Sequence, residues 1–343
     1  MNAAAPLQIE KPYLLYLGDV ANDLYAKTAF GLRDWLPGAC VGQFRRAGCV
    51  VDAQLPDMTP AEAVLAGAKT LVIGVASVGG GLPAVWIDDL AVAMRAGLHV
   101  ASGMHQRLVD APFLRELSQA LGLHLHDVRH NGRTYPVATG KKRSGHRLLR
   151  VGTDCALGKK YTALALAREM QAQGLDADFR ATGQTGILIS GSGIPLDAVV
   201  VDFAAGAAEC LSPANAPNHW DVIEGQGSLF HPGYAGVTLA LVHGSQPDAL
   251  VLCHDPTRHE IGGYPGFRIP SLEAAMASYL GAAQLTNPQA RLLGVALNTS
   301  KLSATASLEV LAQTEQQLGL PCVDPIRTGV ARLVTALKLA YGH

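Results

Sequence analysis

A glycine-rich segment in the middle of the chain has residue types and spacing that suit phosphate binding. It reads GTDCALGKK from Gly152 to Lys160, follows an apolar run and precedes a stretch with helical apolar spacing. Between a strand and a helix, Gly152 and Gly158 let backbone N–H groups surround an anion, and Lys159 reaches the phosphates. The sequence therefore predicts a P-loop that binds a phosphorylated ligand.

This loop departs from the consensus GxxxxGK[ST] in two ways. Gly152 and Gly158 are one residue further apart than in the consensus, and Lys160 occupies the place of the hydroxyl residue that binds magnesium. Thr162 follows two residues later, so its hydroxyl does not occupy the position of the magnesium-binding residue. The predicted ligand-binding residues of the segment are Gly152, Thr153, Asp154, Cys155, Gly158, Lys159, Lys160, Tyr161 and Thr162.

Two later segments place polar residues after predicted strands. Glu224 follows HWDVI and begins EGQGSLFHPGY, which also contains His231, and Asn298 follows LLGVAL. Ligands of open α/β sheets bind at the carboxyl ends of the strands. Glu224 is therefore the expected acidic partner of the P-loop, acting through a metal or a water, and the Asn298 amide is expected to bind an adenine edge.

Strand-like apolar runs alternate with helical stretches along most of the chain, which predicts an α/β protein with two doubly wound domains. Residues 1–140 are predicted to form a Rossmann-like domain, 141–150 a basic linker, and 151–343 a P-loop NTPase-like domain with a mainly parallel sheet. The turn at Gly79, Gly80 and Gly81 lacks the GxGxxG spacing of dinucleotide-binding domains. We therefore expect a structural or substrate-covering role for the N-terminal domain.

The composition restricts the class of protein. The chain has 343 residues, 49% hydrophobic and 16% charged, which suits two folded domains. A formal net charge of -1 provides no overall attraction for nucleic acid or anionic membranes. The six cysteines form no CxxC pair, and we expect neither a signal peptide nor a membrane-spanning run from this sequence. These features predict a cytoplasmic protein with reduced thiols and a small ligand, and the apolar fraction favours a homo-oligomer.

Three segments resemble dethiobiotin synthetase and related P-loop enzymes. They are GTDCALGKK, IEGQG and GVALNT, in this order. The resemblance implies that Glu224 helps to hold magnesium beside ATP. The lysine at position 160 argues against that chemistry, because the hydroxyl ligand of the metal is missing.

A longer resemblance covers nearly the whole chain. GTDCALGKK, together with AKTAFGL, GLHVASGMH, ATGQTGILISG, DAVVVDFAAGAAE and the segment from EGQGSLF to CHDPTR, is similar to a family described as a domain of unknown function. Its best-understood members are D-glutamate N-acetyltransferases with a Rossmann-like and a P-loop domain. The resemblance implies acetyl transfer from acetyl-CoA to D-glutamate in D-amino-acid catabolism. The phosphates of coenzyme A suit the same loop, and acyl transfer requires no metal.

Acetyl transfer to an amino acid requires a base that removes a proton from the α-ammonium group. Glu224 assisted by His231 is the preferred candidate, and Asp202 and Asp154 are the other candidates. A covalent route through Cys155, in a loop rich in N–H groups, is the alternative mechanism.

The two carboxylates of D-glutamate require cations or N–H donors. The predicted substrate-binding residues are Arg180, Gln184, Thr185, Arg258 and Arg268, the last two beside a glycine-rich loop that is expected to close over the substrate. An ATP-dependent phosphotransferase or synthetase with magnesium is the main alternative function. A non-catalytic nucleotide-binding protein is the third.

Overall fold

The computed structural model describes residues 9–75, 81–130 and 132–342. Contacts divide the chain into two compact units. The first consists of Met1–Arg133 and Gly183–Ala198, and the second of Thr134–Thr182 and Val199–His343.

The first unit contains a five-stranded parallel sheet. Its strands are β1 (Tyr13–Gly18), β2 (Cys40–Arg45), β3 (Thr70–Ile73), β4 (His99–Ser102) and β5 (Leu125–Asp127). They are arranged in the order β2-β1-β3-β4-β5. The helices α1 (Lys27–Trp35), α2 (Pro60–Leu65), α3 (Ala84–Arg95) and α4 (Pro112–Leu121) connect them. The predicted Rossmann-like architecture is confirmed.

At the end of β1, a tryptophan covers the strand terminus. A Cβ atom on Gly18 would lie 2.6 Å from the ring of Trp86 on α3. The Trp86 Nε1 donates to Asp19 Oδ1 at 3.0 Å. Gly79 and Gly80, which the sequence singled out in the turn after β3, lie outside the described residues, and Gly81 is the first described residue beyond them.

The segment Gly183–Ala198 packs with the first unit, although it lies within the predicted P-loop domain in chain order. It contains α6 (Gln184–Ser190), which contacts α1. The Thr185 hydroxyl lies 2.9 Å from the Thr28 hydroxyl. The contact units therefore differ in this segment from the domain boundaries predicted along the chain.

The second unit contains a six-stranded parallel sheet. Its strands are β6 (His146–Gly152), β7 (Ala177–Arg180), β8 (Trp220–Ile223), β9 (Ala249–His254), β10 (Arg291–Leu297) and β11 (Cys322–Val323). Their order is β11-β10-β9-β6-β8-β7. The fully parallel sheet confirms the predicted P-loop architecture, with β6 between β8 and β9.

Helices surround this second sheet. They are α5 (Lys159–Ala172), α7 (Val201–Leu211), α8 (Ala235–Ser245), α9 (Leu272–Gln284), α10 (Ala304–Leu318) and α11 (Ala331–Tyr341). Among the helices of the described ranges, none combines the length and the apolar character required to span a membrane.

The predicted basic linker is part of the fold of the second unit. β6 already begins at His146, and the side chains of Arg147 and Arg150 are buried in it. The Arg143 guanidinium donates to the carbonyls of Ser212 and Gly244, each at 2.8 Å. The guanidinium groups of these three arginines donate to backbone carbonyls of the second unit.

Candidate functional site

The predicted P-loop lies between the central strand β6 and helix α5. Two residues of the loop have left-handed backbone conformations, Ala156 with φ 53° and Gly158, the N-cap of α5, with φ 100°. Glycine adopts this conformation without a steric penalty, whereas alanine does not. The loop therefore turns sharply into the first turn of α5, where the backbone N–H groups and the helix dipole favour an anion.

Lys159 folds back over the loop. Its side chain is buried, and Nζ donates to the backbone carbonyl of Asp154 at 2.7 Å. Burial lowers the pKa of Lys159, and the charges of Cys155 and Asp154 oppose this shift. The ammonium group thus lies at the loop backbone, where a phosphate ligand would meet it.

Gly225 provides the space for this arrangement. A Cβ atom at this position would lie 1.8 Å from the Arg150 carbonyl oxygen and 2.9 Å from Lys159 Cδ. Neither β6 nor the lysine stem can accommodate such a contact without moving. Glycine at position 225 is therefore a steric requirement of the site.

We expect Gly225→Ala to lower the free energy of unfolding by about 3 kcal/mol, because overpacking against backbone displaces β6 or the loop. Gly236→Ala in α8 is the matched control, since a Cβ there contacts nothing within 4 Å. Gly236→Ala should leave the free energy of unfolding unchanged or raise it by up to about 1 kcal/mol. Urea unfolding measures both, and equal stabilities would contradict the prediction.

Asp154 connects the P-loop to the segment between β9 and α9. Its Oδ1 accepts the Cys155 N–H at 2.6 Å, and its Oδ2 accepts Arg258 Nη1 at 2.7 Å and the Gly262 N–H at 2.8 Å. Burial raises the pKa of Asp154, but the hydrogen bonds from Gly262, Arg258 and Cys155 outweigh it, so the pKa lies below its ordinary value. Asp154 therefore ties the P-loop to Arg258 and Gly262, and its role as a candidate base stays a prediction.

Glu224 lies directly after β8, next to the P-loop strand. The carboxylate is buried, and its Oε2 accepts the Thr182 N–H at 3.0 Å. The Thr182 hydroxyl donates to the Glu224 carbonyl at 3.0 Å. These two bonds fix both the backbone and the side chain of Glu224 at the carboxyl edge of the sheet, and its role as a base stays a prediction.

A buried arginine lies close to Glu224. Arg150 is fully buried in β6 and donates from Nη2 to the Ile223 carbonyl. Burial lowers the pKa of Arg150 to about 9, whereas attraction to Cys253 and Glu224 raises it. The Glu224 carboxylate thus interacts electrostatically with a buried cation, which partly offsets the cost of its burial.

His231 is buried and held in one orientation. Its Nδ1 accepts the Gly233 N–H at 3.1 Å, and its ring centroid lies 4.4 Å from that of Tyr234 and 4.8 Å from that of Tyr264. Because Nδ1 is an acceptor, the neutral ring carries its proton on Nε2. In this tautomer Nε2 is the donor of the ring, and the assisting role of His231 stays a prediction.

Asp154, Cys155 and His231 form a cluster. One carboxylate oxygen, the thiol sulfur and one ring nitrogen all lie within 4.8 Å of one another. Such a set can bind a metal, but both Asp154 oxygens already accept hydrogen bonds, one of them from the Arg258 guanidinium. A divalent cation would compete with that guanidinium, so the donor set suits a metal poorly.

Two residues that the sequence reasoning missed support the loop. The Thr153 hydroxyl lies 2.8 Å from Nδ1 of His254, the last residue of β9. The Tyr279 hydroxyl donates to the Gly152 carbonyl at 2.7 Å and accepts the Leu229 N–H at 3.0 Å. The position of His254 at a strand end is a signal that could have identified it, whereas Tyr279, within α9, has no comparable signal.

A cavity of about 890 Å³ lies beside the loop. Its lining includes His254, Arg258, His259, Arg268 and Glu273. The structure thus brings together two of the predicted substrate-binding arginines, Arg258 and Arg268. The cavity adjoins the P-loop, because His254 and Arg258 contact Thr153 and Asp154.

Other predicted substrate-binding residues have structural partners elsewhere. Arg180 Nε donates to the buried Asp221 at 2.6 Å. Thr185 bonds to Thr28, and a Cβ on Gly103 would lie 2.5 Å from Gln184 Cγ, all within the first unit. Gln184 and Thr185 therefore belong to the first unit, and Arg180, in the second, is not among the described residues that line the cavity.

The remaining predicted residues differ in their exposure. The Thr162 hydroxyl is buried and donates to the Gly158 carbonyl at 3.1 Å, so it turns into the helix. Lys160 Nζ lies 5.3 Å from the centroid of the Tyr161 ring. Asn298 Oδ1 accepts the Ser300 N–H at 3.2 Å, and Asp202 is exposed in the first turn of α7. In the described part of the chain, Asp202 makes no hydrogen bond to the P-loop.

Comparisons with known proteins agree with this architecture. Family models described as a "Domain of unknown function (DUF1611_C) P-loop domain" and a "Domain of unknown function (DUF1611_N) Rossmann-like domain" match residues 136–334 and 44–131. A curated D-glutamate N-acetyltransferase from Tritonibacter scottomollicae is 53% identical over 329 residues, covering 96% of this chain and 99% of that protein. Another of the same name from Pseudoalteromonas sp is 46% identical over 331 residues, covering 96% and 100%.

A solved structure is also similar over nearly the full length. It is the crystal structure of a DUF1611 family protein from Anabaena variabilis, which has 34% sequence identity and a TM-score of 0.85. The match covers 96% of this chain and 99% of that chain.

Proposed function

The chain belongs to the DUF1611 family, and we propose that it is a D-glutamate N-acetyltransferase that takes its acetyl group from acetyl-CoA. The observation that carries the proposal is the identity of 53% and 46% with two D-glutamate N-acetyltransferases over 96% of the chain. Three parts of the second unit are compatible with this reaction. The P-loop suits the acetyl donor, the neighbouring cavity suits the amino acid, and Glu224 suits the removal of a proton.

The P-loop suits the donor. Coenzyme A has a pyrophosphate and a 3′-phosphate, which require N–H donors and cations. The first turn of α5 offers N–H groups, and Lys159 and Lys160 offer charge. A lysine at position 160 replaces the hydroxyl that a magnesium nucleotide would need, which favours a ligand bound without metal.

The neighbouring cavity suits the acceptor. Its volume of about 890 Å³ exceeds the needs of an amino acid, and Arg268 is exposed on its lining. We assign Arg268 to a carboxylate of D-glutamate. Arg258 is the second candidate, although its Nη1 already binds Asp154 and the Cys155 carbonyl.

Glu224 supplies the base. The α-ammonium group of an amino acid is mostly protonated at neutral pH, so a carboxylate must remove a proton before the amine attacks the thioester carbonyl. The negative oxygen that forms there requires hydrogen-bond donors. Glu224 is fixed by Thr182 at the correct edge of the sheet for this role.

The direct test follows thiol release. The purified protein should release free coenzyme A from acetyl-CoA when D-glutamate is present, and mass spectrometry should detect N-acetyl-glutamate. Parallel reactions contain L-glutamate, or ATP with magnesium in place of acetyl-CoA. ATP turnover without acetyl transfer would instead support a synthetase or phosphotransferase, and binding without turnover would support a nucleotide-binding protein.

We also propose a cytoplasmic location and a homo-oligomeric state. All six cysteines are free, which suits a reducing compartment. Exposed apolar side chains near the start of α7, Val200, Val201 and Phe203, are compatible with contact between copies.

A further inference from the structure

We propose that His254 donates a hydrogen bond from Nε2 to one carboxylate of the acceptor in the cavity beside the P-loop, and that Arg268 binds the other carboxylate. This assignment rests on the proposed function and specifies how the cavity recognises an amino acid with two carboxylates. It gives His254 a direct contact with the substrate, in addition to its contact with Thr153.

His254 is held at the border between the P-loop and the cavity. It is the last residue of β9, which pairs with the P-loop strand β6, and it lines the cavity of about 890 Å³. Its Nδ1 lies 2.8 Å from the hydroxyl of Thr153. A strand end and a side-chain hydrogen bond therefore fix the ring before a substrate binds, which reduces the entropy that binding must remove.

The contact with Thr153 determines which ring nitrogen carries the proton. Thr153 is fully buried, and a buried hydroxyl hydrogen without an acceptor costs free energy. In the described part of the chain, the hydroxyl of Thr153 has no hydrogen-bond partner other than His254 Nδ1. The hydroxyl therefore donates to Nδ1, and the neutral ring carries its own proton on Nε2.

Nε2 is the ring nitrogen that remains for a ligand. Within the described ranges no residue accepts a hydrogen bond from it, and it is not one of the buried side-chain nitrogens that lack a partner there. Nε2 is therefore accessible, and the open space that His254 lines is the cavity. An accessible N–H group at the wall of a cavity is a donor for an oxygen atom of the ligand.

The ring is neutral at neutral pH. Burial lowers the pKa of His254, the charge of Asp255 opposes this shift, and Arg258 and His259 add to it. Protonation of Nδ1 would also remove the acceptor of the Thr153 hydroxyl. His254 therefore contributes a hydrogen bond to a carboxylate without contributing a positive charge.

Arg268 contributes that charge at another part of the cavity. It is exposed, and it lies in the segment between β9 and α9. Arg258 also lines the cavity, but its Nη1 already binds Asp154 and the Cys155 carbonyl. The cavity thus offers a neutral donor at the sheet and a guanidinium in the following loop, which suits a ligand with two separate carboxylates.

The test measures dissociation constants by calorimetry on the full-length protein saturated with free coenzyme A, so that no acetyl transfer occurs. D-Glutamate is compared with D-glutamine, which lacks the side-chain carboxylate, and with γ-aminobutyrate, which lacks the α-carboxylate. We expect the wild-type protein to bind D-glutamate at least about tenfold more tightly than either analogue, because each analogue leaves one of the two donors without a carboxylate.

Two substitutions of His254 separate its contact with the ligand from its contact with Thr153. His254→Asn keeps an acceptor near the position of Nδ1 but has no atom near that of Nε2, so the Thr153 contact can persist. This variant should lose the preference for D-glutamate over one analogue, about tenfold, and keep the preference over the other. His254→Gln, whose amide N–H lies near the position of Nε2, should retain part of the lost preference.

Arg268→Ala is the matched comparison, because it removes the other donor from the same cavity. It should abolish the preference over the second analogue and leave the preference that depends on His254. Binding of coenzyme A alone, measured for every variant, shows whether the P-loop is intact. The two variants thus serve as controls for each other.

The outcomes distinguish this assignment from the proposed function. If the wild-type protein acetylates D-glutamate but His254→Asn keeps both preferences, the role of His254 is wrong and the proposed function stands. A loss of both preferences in His254→Asn, or a loss of the same preference in His254→Asn and Arg268→Ala, would also overturn the assignment. If the wild-type protein binds coenzyme A but neither binds nor acetylates D-glutamate, the proposed function itself fails.

Discussion

Glu224→Gln is expected to lower kcat by about 10²–10⁴-fold, the range that general base catalysis contributes. Glutamine has nearly the shape of glutamate, and its oxygen can still accept the Thr182 N–H. It cannot remove a proton from the ammonium group of the substrate. The fold and acetyl-CoA binding should therefore persist while the chemical step slows.

The pH dependence of this variant provides a second readout. Without a base, only D-glutamate that is already deprotonated can react, so the residual rate should rise about tenfold per pH unit below the pKa of the α-amino group. The wild-type rate should rise less steeply in that range. This slope separates the loss of a base from a general loss of structure.

Glu309→Gln is the matched control for this change. Glu309 is exposed on α10, so its replacement removes the same charge without touching the site. Rates are measured by thiol release at saturating acetyl-CoA. A kcat for Glu224→Gln within twofold of that of Glu309→Gln would eliminate Glu224 as the base.

The sequence predicts the parallel sheets and the P-loop because both depend on local signals. Apolar runs identify the strands, and Gly152, Gly158 and Lys159 identify the loop between β6 and α5. Glu224 is predicted for the same reason, since a polar residue directly after an apolar strand lies at the carboxyl edge.

The contacts that fix the site are not predicted, because they join residues distant in sequence. Asp154 is bound by Arg258 and Gly262, which lie 104 and 108 residues further along the chain. Their meeting depends on the strand order, which places β9 beside β6. A sequence pattern contains no information about that order until the whole sheet is known.

Buried arginines are a second reason why the structure differs from what the sequence predicts. Charged residues are mostly exposed, so a run such as Lys141–Arg150 suggests a solvated linker. In the structure, the Arg147 guanidinium donates to the carbonyls of Arg143, Gly145, Ser144 and Pro213. These carbonyl acceptors compensate the burial of the charge, and a sequence does not reveal where they lie.

Asp154→Asn should destabilise the second unit and loosen the P-loop. The asparagine amide would place a donor against the Arg258 guanidinium and the Gly262 N–H, so an attraction becomes a repulsion. Breaking a buried ion pair costs about 3–5 kcal/mol, and we expect a value near the lower limit because the Arg258 side chain is 23% exposed. The KM for acetyl-CoA should also rise, since the loop that binds its phosphates is released.

Asp202→Asn is the control, because Asp202 is exposed in the first turn of α7 and interacts only weakly with the helix dipole. This substitution should change the free energy of unfolding by about 1 kcal/mol or less. Urea unfolding followed by circular dichroism compares the two variants with the wild-type protein. Equal losses in Asp154→Asn and Asp202→Asn would show that the contacts of Asp154 do not stabilise the loop.

The pH dependence of the same comparison isolates the Asp154 charge. The pKa of Asp154 in the folded protein lies below its ordinary value, so its ionised form stabilises the fold. This contribution is complete above the unfolded pKa of about 3.9 and is lost as the pH falls through the lower, folded value. All other groups titrate in both proteins. The difference in the free energy of unfolding between wild type and Asp154→Asn should therefore be constant from about pH 5 to 8 and shrink below about pH 4. A difference that shrinks near neutrality would assign the effect to another group.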